Sequence, residues 1–253
     1  MTGIKKNFRR FLQDFYLVII MIFLYAPIAT MVVLSFNQSK SRTVWGGFTL
    51  QWYTQMFSSR NIMAALQNTL LIAFLSALIA TIIGTAAAIA INSMKPVSRT
   101  IVMGITNIPM LNADIVTGIS LGFKTVLIAH ITFNIPYVIL SVMPKLRQTS
   151  RYTYEAALDL GASPISAFFK VVFPDILPGV LSGFLLAFTM SLDDFIITHF
   201  TRGAGINTLS TLIYSEVRRG IKPSMYALST VIFAAVLILL LISNFAPKKR
   251  QEK

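Results

Sequence analysis

Four runs of this chain are too long and too apolar for a water-soluble domain: Phe15 to Phe36, Gln67 to Ile91, Gly179 to Phe200 and Tyr226 to Ile242. Each can cover the hydrocarbon core of a bilayer, which takes about 20 residues of helix. Composition agrees, because 55% hydrophobic and 12% charged residues with a mean hydropathy of +0.71 exceed what a soluble domain of this length carries. The expected fold class is all-α, a polytopic membrane protein forming a single transmembrane domain over residues 1–253. Between the second and third runs lies a less regular stretch, Thr100 to Met143, which must supply two further spans for a total of about six.

The net charge of +13 would suit a nucleic-acid binder, but its distribution points to a membrane. Lys5, Lys6, Arg9 and Arg10 precede the first run, Lys95 and Arg99 follow the second, and Lys145, Arg147 and Arg151 precede the segment described next. Lys248, Lys249 and Arg250 follow the last run. With six spans all of these lie on one side, the asymmetry expected of cytoplasmic loops, so both termini are expected in the cytoplasm. Basic residues also occur in the opposite loops (Lys40, Arg42, Arg60, Arg202, Arg218, Arg219, Lys222). The first run is too long for a signal-peptide core and leads into Ser35-Phe36-Asn37-Gln38 without a small-residue cleavage site, so it is expected to stay as a helix. The chain has no cysteine, which removes thiol chemistry. It also has no Gly-x-x-x-x-Gly-Lys-Ser/Thr loop for a nucleotide.

The most particular pattern is Glu155-Ala156-Ala157, three residues, Gly161, nine residues, then Val171-Val172-Phe173-Pro174. Glu155 is expected near the start of a short helix, where a carboxylate suits the helix dipole. Gly161 supplies a turn. Ser163 and Pro164 read as the N-cap and first position of a second short helix, which Pro174 is expected to stop after about Val172. This segment, about residues 150–174, resembles the coupling loop of ATP-binding-cassette (ABC) importer permeases. The resemblance implies that Glu155, Ala156, Ala157, Gly161 and Pro174 dock on a separate ATPase, and that ATP and its Mg bind there, with no cofactor in this chain. A juxtamembrane helical hairpin without a partner is the alternative.

The likeness extends to Ser35-Phe36-Asn37, Gly47-Phe48-Thr49-Leu50, Trp52-Tyr53, Asn68-Thr69-Leu70, Asp114-Ile115-Val116-Thr117-Gly118 and Ser191-Leu192-Asp193-Asp194-Phe195. These are similar to the spermidine/putrescine branch of the family, and most of all to its second permease subunit. The resemblance implies a substrate path through Trp52, Asp114, Ser191, Asp193 and Asp194. Carboxylates inside spans are costly and usually turned inward, and a polyamine, a flexible polycation with methylene spacers, suits spaced carboxylates and aromatic faces. Plainer roles are available for each. Trp52 with Tyr53, Met56 and Phe57 can anchor the chain at the membrane surface; Asp193 and Asp194 can cap a helix or pair with Arg202; Asp114, near Pro109 and Asn112, can stabilise a broken helix. His130 and His199 read as ordinary polar positions and suggest no metal site.

The chain departs from the family after Ile119-Ser120-Leu121, where Gly122-Phe123 follows at once. By that comparison about ten residues are missing, so Arg99 to Pro144 would just fit two spans of about 20 residues with a tight turn at Gly122-Phe123-Lys124. The third and fourth helices are therefore expected to be shortened or distorted.

The resemblance implies a permease of the bacterial cytoplasmic membrane that works by alternating access. Its expected partners are a second permease, an ABC ATPase dimer, an extracytoplasmic substrate-binding protein and the lipid bilayer, and no nucleic acid. Other small solutes (an opine, an amino-acid derivative, ferric iron, thiosulfate) remain alternative substrates. An intramembrane enzyme is disfavoured by the lack of a nucleophile-and-base or metal constellation, and a free-standing channel by the coupling pattern.

Overall fold

The computed structural model describes residues 2–108, 122–203 and 206–245. Among them the chain is helical apart from loops and one isolated antiparallel bridge between Asn37 and Phe48. The helices are α1 (Thr2–Ser35), α2 (Gln51–Ser58), α3 (Arg60–Asn92), α4 (Pro96–Thr106), α5 (Phe123–Gln148), α6 (Arg151–Asp159) and α7 (Pro164–Ala167). A π-helical turn (Phe168–Val172) leads into α8 (Phe173–Asp193), followed by α9 (Ile196–Thr201), α10 (Leu209–Arg219) and α11 (Pro223–Phe245).

Four stretches are long and apolar enough to cross a membrane: Gln13–Ser35, Arg60–Asn92, Phe123–Gln148 and Pro164–Asp193. α11 contains a shorter apolar stretch, Pro223–Ile238. The expected third span falls partly outside the described residues, as do Pro109, Asn112 and Asp114; α4, 11 residues from Pro96, overlaps only its start. The fourth span corrects the expectation of shortening. α5 is a full 26 residues and starts directly after Gly122. Asn134 and Pro136 are both buried within it.

Two compact units make up the chain. The first comprises Met1–Ile62 and Ser215–Lys253. In it α11 packs against α1 and α2, and the loop after α1 is tied down by one buried side chain. Asn37 Oδ1 accepts from the amides of Ser39 (3.1 Å) and Gly46 (2.8 Å), while Nδ2 donates to the carbonyls of Val44 (2.9 Å) and Ser41 (3.3 Å). The whole amide is thereby satisfied, as burial requires. Phe36 stacks on Phe48 with ring centroids 5.3 Å apart. Along α1 the apolar side chains from Phe15 to Tyr25, all but the half-buried Ile20, stay exposed, Phe23 at 80%, a surface that a membrane protein leaves to lipid or to a partner.

The second unit is Met63–Tyr214. Its core joins Ala77, Ala80, Ala88 and Ile91 of α3 to Val138, Ile139, Val142, Met143 and Leu146 of α5 and to Ile176 and Ala187 of α8. Small residues set the approach of these helices, as they do where helices associate in lipid. A β-carbon on Gly84 would lie 2.8 Å from Val138 Cβ, and one on Gly179 would lie 3.1 Å from the Ser141 carbonyl and 2.9 Å from Lys145 Cγ. Gly179 and Gly183, four residues apart on one face of α8, therefore fix α5 against it.

Candidate functional site: a coupling turn, a continuous helix and a split pair of aspartates

The Glu-Ala-Ala segment forms α6, which starts after Ser150, so Glu155 sits in the second turn rather than the first. The dipole argument for Glu155 is corrected accordingly; the residue is an exposed side chain on the helix flank. The end of α6 follows from Gly161. With φ +86° it takes the left-handed conformation, its amide donates to the Leu158 carbonyl (2.9 Å), and the Ala162 amide donates to Ala157 (3.1 Å). This pairing of a 5→2 and a 6→1 bond closes a helix at a glycine. Ser163 then caps α7, its Oγ accepting from the Ser166 amide at 3.3 Å, with Pro164 in the first turn. Around the turn Tyr152, Leu160, Ile165 and Phe169 are exposed, Leu160 at 89%.

Pro174 does not stop the second helix. The chain stays helical from Pro164 to Asp193, 30 residues. Between Ala167 and Phe173 the ladder widens to a π turn in which the Phe173 amide reaches back five residues to Phe168. Pro174 has no amide to offer, so a register change immediately before it accommodates the missing bond and the ring that would otherwise break an α-helix. One rod of roughly 45 Å, at 1.5 Å per residue, thus joins the turn at Gly161 to the two aspartates at its other end.

There the expected span to Phe200 is interrupted. Asp194 is extended (ψ 122°), α8 ends at Asp193, and α9 begins at Ile196. The Asp194 carboxylate accepts from the amides of Thr198 (2.9 Å) and Ile197 (3.4 Å) and from the Thr198 hydroxyl (3.4 Å). Its carbonyl accepts from Ser210 Oγ at 2.8 Å. Asp194 is therefore an anchor for the start of α9. Arg202, suggested as its partner, instead donates to Asn207.

Asp193 differs from its neighbour. It is exposed, has no hydrogen bond or ion pair among the described residues, and lines a hollow of about 520 Å3 with Phe133, Thr189, Met190, Asp194, Phe195 and Ile196. An open carboxylate beside two aromatic rings and apolar walls is chemistry for an organic cation. Ser191, two residues earlier in the rod, is buried with its hydroxyl 2.5 Å from His130 Nδ1 and 3.0 Å from Ser76 Oγ. Asn134 Nδ2 donates to Ser76 Oγ at 3.3 Å, and His130 Nε2 lies 3.0 Å from Thr198 Oγ1 and 3.6 Å from Asp194 Oδ2.

Of the residues expected along a path, Ser191, Asp193 and Asp194 come together, with different partners. Trp52 is 4% exposed and donates its indole N–H to the Asn37 carbonyl at 2.7 Å, so its ring is part of the loop core. Asp114 lies outside the described residues. His130, Asn134, Ser76 and Thr198 were not among the expected residues. The signal available was spacing for one pair only: His130 and Asn134 stand four apart on one helical face inside apolar sequence. No cluster able to hold a metal ion occurs among the described residues.

Helices long and apolar enough to cross a membrane, with a glycine-closed turn leading into one of them, are the frame of a membrane-embedded protein. The model for binding-protein-dependent transport system inner membrane components matches residues 1–248, and the chain belongs to that family. It is 39% identical over 233 residues to the putrescine transport system permease protein PotI of Escherichia coli strain K12, covering 85% of this chain and 83% of that one. It is 35% identical over 252 residues to the spermidine/putrescine transport system permease protein PotC of Haemophilus influenzae, covering 95% and 98%. Among solved structures, a bacterial ABC transporter involved in the import of the acidic polysaccharide alginate shares the fold, with a TM-score of 0.70, 19% identity and 95% of each chain covered. The chain is thus a multi-pass membrane permease subunit, not itself catalytic.

Proposed function

We propose that this permease passes polyamines, spermidine or putrescine, across the bacterial cytoplasmic membrane as one of two permease subunits on an ABC ATPase dimer. An extracytoplasmic binding protein delivers the substrate. Cation chemistry in the hollow carries the reading: Asp193 offers an unpaired carboxylate beside Phe133 and Phe195. An ammonium reaching it sheds part of its hydration, a cost that a fixed negative charge and ring faces offset. The polyamine relatives add support, since they match this chain over most of its length.

ATP and Mg belong to the partner ATPase in this scheme, and the chain contributes the moving parts. Closure of the ATPases displaces Glu155, Ala156, Ala157 and Gly161. The rod through Pro174 carries that displacement to Asp193, opening the hollow to one side of the membrane or the other. Uptake of labelled spermidine by the reconstituted complex should be competed by unlabelled spermidine and putrescine, and not by ferric iron, thiosulfate or an opine. No ATP-dependent, saturable uptake of spermidine or putrescine, with uptake of one of the latter instead, would refute the polyamine reading.

The orientation has its own check. In intact cells with any outer barrier removed, a cysteine introduced by Arg42→Cys should react with an impermeant thiol reagent, and one introduced by Ser150→Cys should not. Reaction at both would place the coupling turn outside and sever it from any cytoplasmic ATPase.

A further inference from the structure

Two adjacent aspartates at a helix break have opposite fates, one open and one locked, and the lock runs through His130. The histidine is 1% exposed in the middle of an apolar span. Both ring nitrogens are engaged, by Ser191 at the end of α8 and by Thr198 in α9, so the imidazole bridges the two sides of the break at Asp194. A carboxylate can only accept, so Thr198 Oγ1 gives its proton to Asp194 and must itself accept from His130 Nε2–H. With a neutral ring, Nδ1 then accepts from Ser191; Ser76, whose hydroxyl donates to the Ala73 carbonyl (3.2 Å), lies 3.0 Å from Ser191 Oγ and accepts from Asn134. From Ser191 through His130 and Thr198 the donors point one way, to the Asp194 carboxylate, and buried chains of this kind hold their members in one arrangement.

We propose that His130 is a positioning residue for substrate. By bracing Ser191 and Thr198 it fixes the break after Asp193, keeps Asp194 occupied as an anchor, and leaves Asp193 as the carboxylate directed into the hollow. Without it, α8 can continue through Asp194 or α9 can swing, and either movement redirects Asp193. This rests on the reading of the hollow as a cation site.

The test is a double-mutant cycle with a second readout that needs no substrate. In the reconstituted complex, His130→Leu and Asp193→Asn should each lower spermidine uptake at low concentration. The double variant should match Asp193→Asn alone, because a lesion acting through Asp193 has nothing left to remove, whereas independent lesions multiply. The chain carries no cysteine, so Asp193→Cys introduces a single thiol into it. Its rate of reaction with a cationic, impermeant thiol reagent should change about threefold or more when His130→Leu is added, while that of an Arg42→Cys control should not, as expected if only the local geometry moves. His130→Gln, which keeps a donor and an acceptor, should restore part of the uptake and labelling.

Multiplying effects on uptake, together with an unchanged labelling rate, would overturn the proposal. A shifted labelling rate without any spermidine dependence would instead retain the positioning role and reject the polyamine as substrate. Should His130→Leu fail to assemble, Thr198→Val and Ser191→Ala each remove one of its partners, and either can run the same cycle with the same criteria.

Discussion

Replacing Gly161 by valine is expected to uncouple the permease from its ATPase while leaving it in the membrane. The expectation joins the proposed docking of this turn on an ATPase to its backbone geometry. At φ +86° an L-residue pays about 1–2 kcal/mol, and a β-branched one is a still rarer occupant of that region. Nothing lies within 4 Å of where a β-carbon would stand, so no clash enters. The strain is relieved by abandoning the left-handed conformation, which breaks the bonds from Gly161 to Leu158 and from Ala162 to Ala157 and swings α6 away from α7. A penalty of one or two kcal/mol corresponds to a factor of about 5–30 in the population of the native turn.

Substrate-stimulated ATP hydrolysis by the assembled complex should fall by about that factor, read beside the amount of ATPase that co-purifies. Gly161→Ala should be intermediate, and Gly161→Asn, which visits the left-handed region more readily, should keep most of the activity. Full coupling in Gly161→Val would remove the turn from the mechanism. Equal losses in all three variants would assign the defect to lost contact rather than to φ.

The coupling turn was legible because its determinants are local. Gly161, Ser163 and Pro164 act on their own backbone or on atoms three residues away, and the structure uses each as the sequence suggests. Pro174 misled for the same reason. Read locally a proline ends a helix, but the π turn at Phe168–Val172 absorbs it and the rod runs on. The anchor at Asp194 was half legible: a helix-capping role was open to both aspartates, and only one takes it. What could not be read was which side chains meet. Ser76, His130, Ser191 and Thr198 sit on four helices, and their meeting depends on close approach at Gly84, Gly179 and Gly183. Trp52 shows the converse, since a ring suited to a cation by its type is spent on the Asn37 carbonyl.

The split between the aspartates makes the largest difference between two nearly identical substitutions. On sequence grounds Asp193→Asn and Asp194→Asn would each lower polyamine uptake without changing assembly, the double change being worse. The geometry separates them. Asp193 donates nothing to the fold, so its amide should assemble in normal amount and lose the attraction for an ammonium. That attraction at 4 Å is about 1 kcal/mol in bulk water and about 4 kcal/mol at the dielectric typical near a protein surface. Hydration of the open carboxylate argues for the lower part of that range, so uptake at low spermidine should drop at least about fivefold, with recovery at saturating substrate.

Asp194→Asn acts elsewhere. Its two carboxylate oxygens accept from Ile197 and Thr198, and an amide can offer only one oxygen, turning an N–H2 toward a remaining donor. Such a mismatch in a part-buried site costs about 1–3 kcal/mol, and it falls on the start of α9. The expected result is a less stable complex recovered in smaller amount, measured by its melting temperature in detergent, with uptake per assembled complex reduced less than in Asp193→Asn. If Asp194→Asn assembles fully and loses uptake as steeply as its neighbour, both carboxylates serve the cation. The hydrogen bonds to α9 would then describe a resting arrangement that the substrate displaces.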